Sequence, residues 1–364
     1  MKYDYIIVGA GFAGAVAAER LASQYNKKIL IVEKRNHIGG NAYDEYDEHG
    51  ILIHKYGPHI FHTNSIKVFE YLSQFTEWRF YEHRVFAKLN SELYPIPINR
   101  TTINKLYGKN FVTDEEVQKY YDSVKRKIYS ITNSEDKILS QVGDDLFKKF
   151  FKHYTKKQWG IGAKELMPSV LGRIPVRTNT DDRYFTDKYQ FMPKEGYTKM
   201  FERMLNHKNI EIILSADYKK IIDDIKFDKM IYTGPIDYFF DYQFGKLPYR
   251  SIKFKWKNIK TDFYLKAATY NFVEGKEEFT RITEYKYLTG QISNSTSVSI
   301  EYPTFKGDPY YPIPNDENHI KFKKYKNEAD KLKNVKFVGR LAEYKYYNMD
   351  QIVERTFLLI KTIY

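Results

Sequence analysis

The chain has 364 residues, 42% of them apolar and 29% charged, with 17% aromatic and no cysteine. At roughly 150 residues per domain this is a globular protein of two or three domains rather than a disordered one, and the missing thiols exclude disulfide scaffolds, thiolate catalysis and cysteine-held metal. A formal charge of +13 suits an anionic partner (nucleic acid, acidic membrane or phosphorylated small molecule), but the lysines are scattered and select none of these.

Residues 3–8 (Tyr-Asp-Tyr-Ile-Ile-Val) predict a buried strand, residues 12–24 a helix and residues 28–33 a second strand. Such a βαβ unit has a parallel strand pair. Between the first strand and the helix lies Gly9-Ala10-Gly11-Phe12-Ala13-Gly14, a G-x-G-x-x-G match in the context that motif requires. Gly9 allows the tight turn, Gly11 lets the backbone approach a pyrophosphate, and Gly14 lets helix and strand pack closely. The helix N-terminus offers unpaired N–H groups to the phosphates. Glu33 ends the second strand, where a carboxylate accepts hydrogen bonds from a ribose diol. The Glu-x5-Gly-Gly run that closes on Gly39-Gly40-Asn41 resembles the extended fingerprint of FAD enzymes of the glutathione-reductase and amine-oxidase superfamily. With no second glycine fingerprint, FAD is favoured over NAD.

Farther along, Thr113 and Glu116 form a capping box. Val117, Tyr120, Tyr121, Val124 and Ile128 then share a helix face, and a further helix is expected after Gly143. Over 251–302 the period becomes two: Ile252, Phe254 and Trp256 alternate with lysines, and Val298 and Ile300 with serines, the pattern of half-buried antiparallel strands. A short strand at 335–338 stops at Gly339, and a helix follows from about Asp350. The expected fold is α/β: a discontinuous Rossmann-like FAD-binding domain (1–80, 191–240 and 310–364), an inserted helical bundle (101–166) and an antiparallel sheet domain (81–100, 167–190 and 241–309). No run of 18 apolar residues occurs, so membrane insertion is not expected. The opening residues lack the ordered regions of a leader, so a cytoplasmic protein is expected.

Several stretches resemble the bacterial UDP-galactopyranose mutases: His54-Lys55-Tyr56-Gly57-Pro58-His59-Ile60-Phe61-His62-Thr63, Phe150-Phe151-Lys152-His153-Tyr154-Thr155 with Lys156-Lys157-Gln158-Trp159-Gly160, and Arg173-Ile174-Pro175-Val176-Arg177. Others are Asp181-Asp182-Arg183-Tyr184-Phe185, Tyr232-Thr233-Gly234-Pro235-Ile236-Asp237, Tyr310-Tyr311-Pro312-Ile313-Pro314 and Gly339-Arg340-Leu341. The resemblance runs almost end to end. It implies interconversion of UDP-galactopyranose and UDP-galactofuranose by FAD acting only as reduced FADH−. Flavin N5 attacks the anomeric carbon, UDP leaves, an iminium forms, and the ring recloses as the furanose. It also implies an external reductant, a homodimer, and a supply of galactofuranose for cell-surface polysaccharide.

On the same resemblance Arg173 and Arg281 hold the diphosphate, with Arg250 and Arg340 as accessories. Phe150, Phe151, Tyr154, Thr155, Trp159, Tyr184, Phe185 and Asn271 form the uridine side, and Tyr311 and Tyr346 reach the phosphates. Gly9, Gly11, Phe12, Gly14, Glu33, Lys34, Gly40, Asn41, His59, Ile60, Gly339, Arg340 and Met349 hold the cofactor, and His62 joins Arg173 and Arg281 as catalytic. Arginine suits a departing diphosphate because it is always charged and binds bidentately. No metal is implied, since no third ligand accompanies His59 and His62. Asn348 stands where the family often has aspartate, which puts an acid/base role there in doubt. Arg183 and Arg203 read as surface ion pairs.

Three rivals remain. A mutase acting on a related nucleotide sugar would keep all these motifs. A flavin amine oxidase or desaturase would share residues 1–41 and the Gly339 strand but has no use for the matched arginines. A nucleic-acid-binding module would explain the charge, yet no such motif is present and no nucleic-acid partner is expected.

Overall fold

A computed structural model describes residues 2–364. The apolar run at the N-terminus forms the strand Lys2–Val8, whose Ile6 and Ile7 are fully buried on opposite faces. A run apolar on both faces needs cover on both, as in a parallel sheet. That sheet has five parallel strands, in the order Ile210–Ile213, Ile29–Val32, Lys2–Val8, Lys226–Tyr232 and Val335–Phe337. Its strands come from three separated parts of the chain, so the domain is discontinuous. The helices Phe12–Tyr25, Tyr197–Leu205 and Met349–Ile363 cover one face through Val16, Leu21, Phe201, Val353 and Phe357. Tyr218, Tyr232 and Phe239 close the other.

A second sheet has seven strands, in the order Tyr311–Pro312, Tyr249–Ile259, Thr296–Thr304, Arg281–Glu284, Thr269–Phe272, Val85–Leu89 and Glu92–Ile96. It departs from the expected pattern in two respects. Thr269–Phe272 pairs with Val85–Leu89 in parallel, so the sheet is mixed rather than purely antiparallel. Tyr311–Pro312, placed by the sequence reading in the last cofactor-domain segment, instead edges this sheet beside Tyr249 and Arg250. A strand of two residues leaves almost no periodic signal.

The helices Arg100–Tyr107, Asp114–Val124 and Ser134–Leu146 pack Ile103, Val117 and Ile138 against Val85, Ala87 and Ile96 of this sheet, Phe150 joins them from the segment Phe147–Lys152, and the helix His153–Trp159 follows. The capping box forms: Thr113 N donates to Glu116 Oε2 at 2.9 Å and Glu116 N to Thr113 Oγ1 at 3.3 Å. The helix ends at Val124, short of Ile128. Gly143, at φ +75°, sits where a Cβ would lie 2.0 Å from the Val124 carbonyl oxygen. Only glycine combines that approach with that dihedral angle. Beyond it Phe147–Lys152 winds as a π-helix, a distortion that frequently marks functional sites. A small sheet of Phe61–Thr63, Tyr189–Pro193 and Trp78–Phe80 carries the histidine segment.

Candidate active site

Two cavities, of 1060 and 570 Å³, adjoin each other. Asn41, His59, Arg340, Asn348 and Met349 line both and form the wall between them.

The larger cavity runs over the C-terminal ends of the parallel strands. A Cβ on Gly14 would lie 1.9 Å from the Gly9 carbonyl oxygen, so the helix can approach the strand only without one. A Cβ on Gly40, at φ +57°, would lie 2.9 Å from Gly11 Cα, so the paired-glycine turn rests directly on the fingerprint loop. The Glu33 carboxylate accepts from Ala10 N and Arg35 N, both at 2.8 Å, bracing the loop from the second strand. Gly9, Gly11, Phe12, Glu33, Lys34, Gly40 and Gly339 all line this cavity. Gly14 acts instead through packing, and Ile60 faces the second cavity. His59 Nδ1 lies 2.9 Å from the Gly57 carbonyl. Burial pushes its ring down to about 3, so it is neutral.

The smaller cavity is lined by Phe150, Phe151, Tyr154, Thr155, Trp159, Arg173, Tyr184, Phe185, Asn271, Arg281, Tyr311 and Tyr346, with Arg340 and Asn348 on the shared wall. Strand register explains its floor. Asn271 pairs with Arg281, and Arg281 with Glu301, in one cross-strand row. Arg281 lies 3.2 Å from both the Glu301 carboxylate, through Nε, and the Tyr154 hydroxyl, through Nη2. Burial raises the Glu301 carboxyl while Arg281 opposes it. Glu301 Oε1 has no hydrogen-bond partner among the described residues.

In the same chamber two guanidinium groups lie over the Tyr346 ring, Arg173 at 4.3 Å and Arg340 at 4.7 Å from its centroid, and the ring stacks on Tyr311 at 5.7 Å. Burial alone would raise the Tyr346 hydroxyl, but Arg173 and Arg340, with Arg281 beyond them, bring it down to about 8. Burial works against the charge on Arg173, yet the surrounding tyrosine hydroxyls, Tyr346 foremost, raise that group overall.

One residue of the sequence-derived set lies outside the chamber. Arg250 lines neither cavity. Its Nε and Nη2 donate to the Gln158 and Lys157 carbonyls, both at 2.9 Å, at the end of the helix that carries Trp159. Arg183 and Arg203 form ion pairs, with Asp181 and Glu82, and with Glu195. Glu301, Asp187, His83 and Gln158 line the chamber unforeseen. The period-two stretch could have shown Glu301, since it continues the Ser297, Ser299 row. Nothing local marks Asp187 or His83.

A glycine-cradled cleft beside a chamber rich in arginine and tyrosine defines a Rossmann-type enzyme that joins a nucleotide cofactor to an anionic substrate. The family described as "GLF: UDP-galactopyranose mutase" matches residues 149–346, and the NAD(P)-binding Rossmann-like domain matches residues 7–75. The "Probable UDP-galactopyranose mutase" of Klebsiella pneumoniae is 40% identical over 95% of this chain and 91% of its own length. The dTDP-fucopyranose mutase of Escherichia coli is 38% identical over 96% and 95%. A crystal structure of reduced UDP-galactopyranose mutase superposes with a TM-score of 0.80, covering 100% of this chain and 94% of that one at 15% identity. The chain belongs to the UDP-galactopyranose mutase family and is an isomerase. Among the described residues no helix is long and apolar enough to cross a membrane.

Proposed function

We propose that the protein interconverts UDP-galactopyranose and UDP-galactofuranose with a reduced FAD cofactor. The observation that carries this reading is the shared wall, which sets the end of a dinucleotide cleft directly against an arginine chamber. The Gly11–Gly40 contact, which a Cβ would fill, fits a pyrophosphate lying across it. Gly9, Gly11, Phe12, Gly40 and Gly339 would hold that part, Glu33 the ribose, and His59, Asn41 and Met349 the ring end. Bound and reduced, the flavin supplies the nitrogen nucleophile that takes the anomeric carbon.

The chain's own residues do the rest. Arg281 and Arg173, both lining the chamber, hold the diphosphate and stabilise the charge that grows on it as the glycosidic bond breaks. Clamps of this kind are worth about 3–4 kcal/mol each in the transition state. Arg340 and the Tyr346 and Tyr311 hydroxyls complete that pocket. Phe151, Tyr184 and Trp159 offer aromatic faces to the uracil, and stacking the base is worth roughly 1–3 kcal/mol. The segment 167–183 brings Arg173 over the site and excludes water. Arg250 serves by fixing the helix end that holds Trp159. An external reductant maintains the flavin, the enzyme works as a cytoplasmic homodimer, and the furanose goes to cell-surface polysaccharide.

Anaerobic incubation with dithionite and UDP-galactofuranose, followed by chromatography, tests this. UDP-galactopyranose should form only when the flavin is reduced, and no conversion in the reduced state refutes the reading. The full-length similarity to the dTDP-fucopyranose mutase favours a second reading, dTDP-fucose as substrate. The two substrates differ at pyrimidine C5, at the ribose 2′ position and at sugar C6. The larger kcat/KM decides between them.

A further inference from the structure

His62 reaches the substrate chamber from the strand Phe61–Thr63, with its ring flat on Phe185 (centroids 3.6 Å apart, planes at 13°). Its Nδ1 lies 2.9 Å from Asp187 Oδ2. The other carboxylate oxygen, Oδ1, accepts from Asn64 Nδ2 at 2.9 Å. Asn64 cannot turn over freely, because its Oδ1 accepts from Lys188 N at 2.9 Å. The hydrogen bond to His62 holds the Asp187 carboxyl below its ordinary range, against the opposing effect of burial. An ionised carboxylate only accepts, so the proton of a neutral His62 sits on Nδ1 and the lone pair on Nε2. No protein group takes up Nε2 among the described residues, and the side chain lines the chamber.

We propose that Asp187 is a positioning residue that locks His62 in the Nδ1–H form, so that Nε2 serves as a proton relay for the sugar. The inference rests on the mutase reading. Exchanging a pyranose for a furanose moves one proton: the C4 hydroxyl loses it on becoming the ring oxygen, and the former ring oxygen on C5 gains it. Opening comes first: an imidazolium at His62, stabilised by Asp187, gives its Nε2 proton to the oxygen on C5, and the neutral ring, held with its lone pair on Nε2, takes the C4 hydroxyl proton back as that oxygen closes on the anomeric carbon. The balance closes with no other reagent. A carboxylate behind the far ring nitrogen is the usual device for fixing tautomer and basicity together.

The Asn64–Lys188 bond makes the substitution Asp187→Asn informative. The new amide has one accepting and one donating end. The fixed Asn64 NH2 claims the accepting end, so the donating end meets His62 Nδ1 and drives the ring proton to Nε2. The test uses FAD-loaded protein labelled with 15N-histidine, with the His62 signal assigned by its loss in His62→Gln. Wild type should show Nδ1–H and Asp187→Asn should show Nε2–H. In the reduced enzyme, kcat for UDP-galactofuranose should fall by about a hundredfold or more, the scale of a wrong-tautomer histidine, with KM changed by less than about threefold.

Adding Asn64→Ala frees the amide to turn its oxygen to His62. The double variant should regain Nδ1–H and at least about a tenth of wild-type kcat. A merely structural Asp187 would leave the double variant worse than the single one. Loss of kcat without tautomer inversion, or inversion without loss, overturns the proposal, as does a double variant that recovers neither. A wild type inactive on every nucleotide sugar would sink the mutase reading instead, and the tautomer measurement would stand apart from it.

Discussion

Glu301→Gln separates what the carboxylate does for the fold from what it does to the site. Glu301 is only 1% exposed and lies 3.2 Å from Arg281, with one oxygen unpartnered. Removing one member of a buried pair outright costs about 3–5 kcal/mol. The amide keeps the shape and one accepting oxygen, so a loss of about 2 kcal/mol in unfolding free energy is expected. The effect on ligand has the opposite sign. At a separation of about 8 Å and an effective dielectric constant near 20, a carboxylate repels each phosphate charge by about 2 kcal/mol. Removing it should tighten UDP binding by about tenfold or more, even after half of that is lost to screening. Arg281 stays in place because Tyr154 and the strand register still hold it. Urea denaturation measures the first effect and calorimetric titration of the oxidised holoenzyme with UDP the second. A folded variant that binds UDP no more tightly than wild type would refute the electrostatic account.

Gly40→Ala should fold yet purify with about a tenth or less of the wild-type flavin, because its Cβ meets Gly11 Cα at 2.9 Å in a positive-φ turn; visible absorbance per protein measures this. Arg250→Ala should lower stability by about 2–3 kcal/mol through two lost charged hydrogen bonds, with the KM for UDP-sugar rising less than about threefold; urea denaturation beside steady-state kinetics separates the two. For Tyr346 the sign is that of a depressed acid. Its ionisation near pH 8 adds stability that is full above the unfolded value of about 10 and lost as the pH falls through about 8. A phenolate beside Arg173 and Arg340 also competes with diphosphate. UDP affinity should therefore weaken above pH 8 in wild type and not in Tyr346→Phe, as titrations from pH 7 to 9.5 will show.

The parallel core was legible because burial on both faces writes a continuous apolar run, as in Lys2–Val8. The glycine fingerprint was legible because a missing Cβ is a local fact. The seven-stranded sheet was read less well. Alternation along Thr296–Thr304 correctly announced a strand, but the usual rule turns serines to water. Here Ser297, Ser299 and Glu301 are 2%, 0% and 1% exposed, while Lys255 and Lys257 of the neighbouring strand face solvent. The polar row points inward because one end of it forms the floor of a chamber built for a charged ligand. A strand's pattern gives its period, not which face the rest of the chain will cover.

The same distinction explains the arginines. Composition offers a surplus of +13, yet many guanidinium groups are answered locally: Arg20 by Glu19, Arg100 by Asp114, Arg126 by Asp144, Arg355 by Glu343. Charges answered locally in this way say little about function. Arg173 and Arg340 face Tyr346 and the chamber with no carboxylate within ion-pair distance among the described residues. Arg281 has one carboxylate against it, itself unmatched at one oxygen. Three cations lining one chamber with a single carboxylate among them repel one another in the free protein, and a diphosphate with two or more negative charges relieves that repulsion on binding. The resemblance ranked Arg250 below Arg173 and Arg281, as an accessory to the diphosphate, but still placed it near the site. What distinguishes them is where each charge is answered: by helix-end carbonyls for Arg250, and by the ligand for the other two.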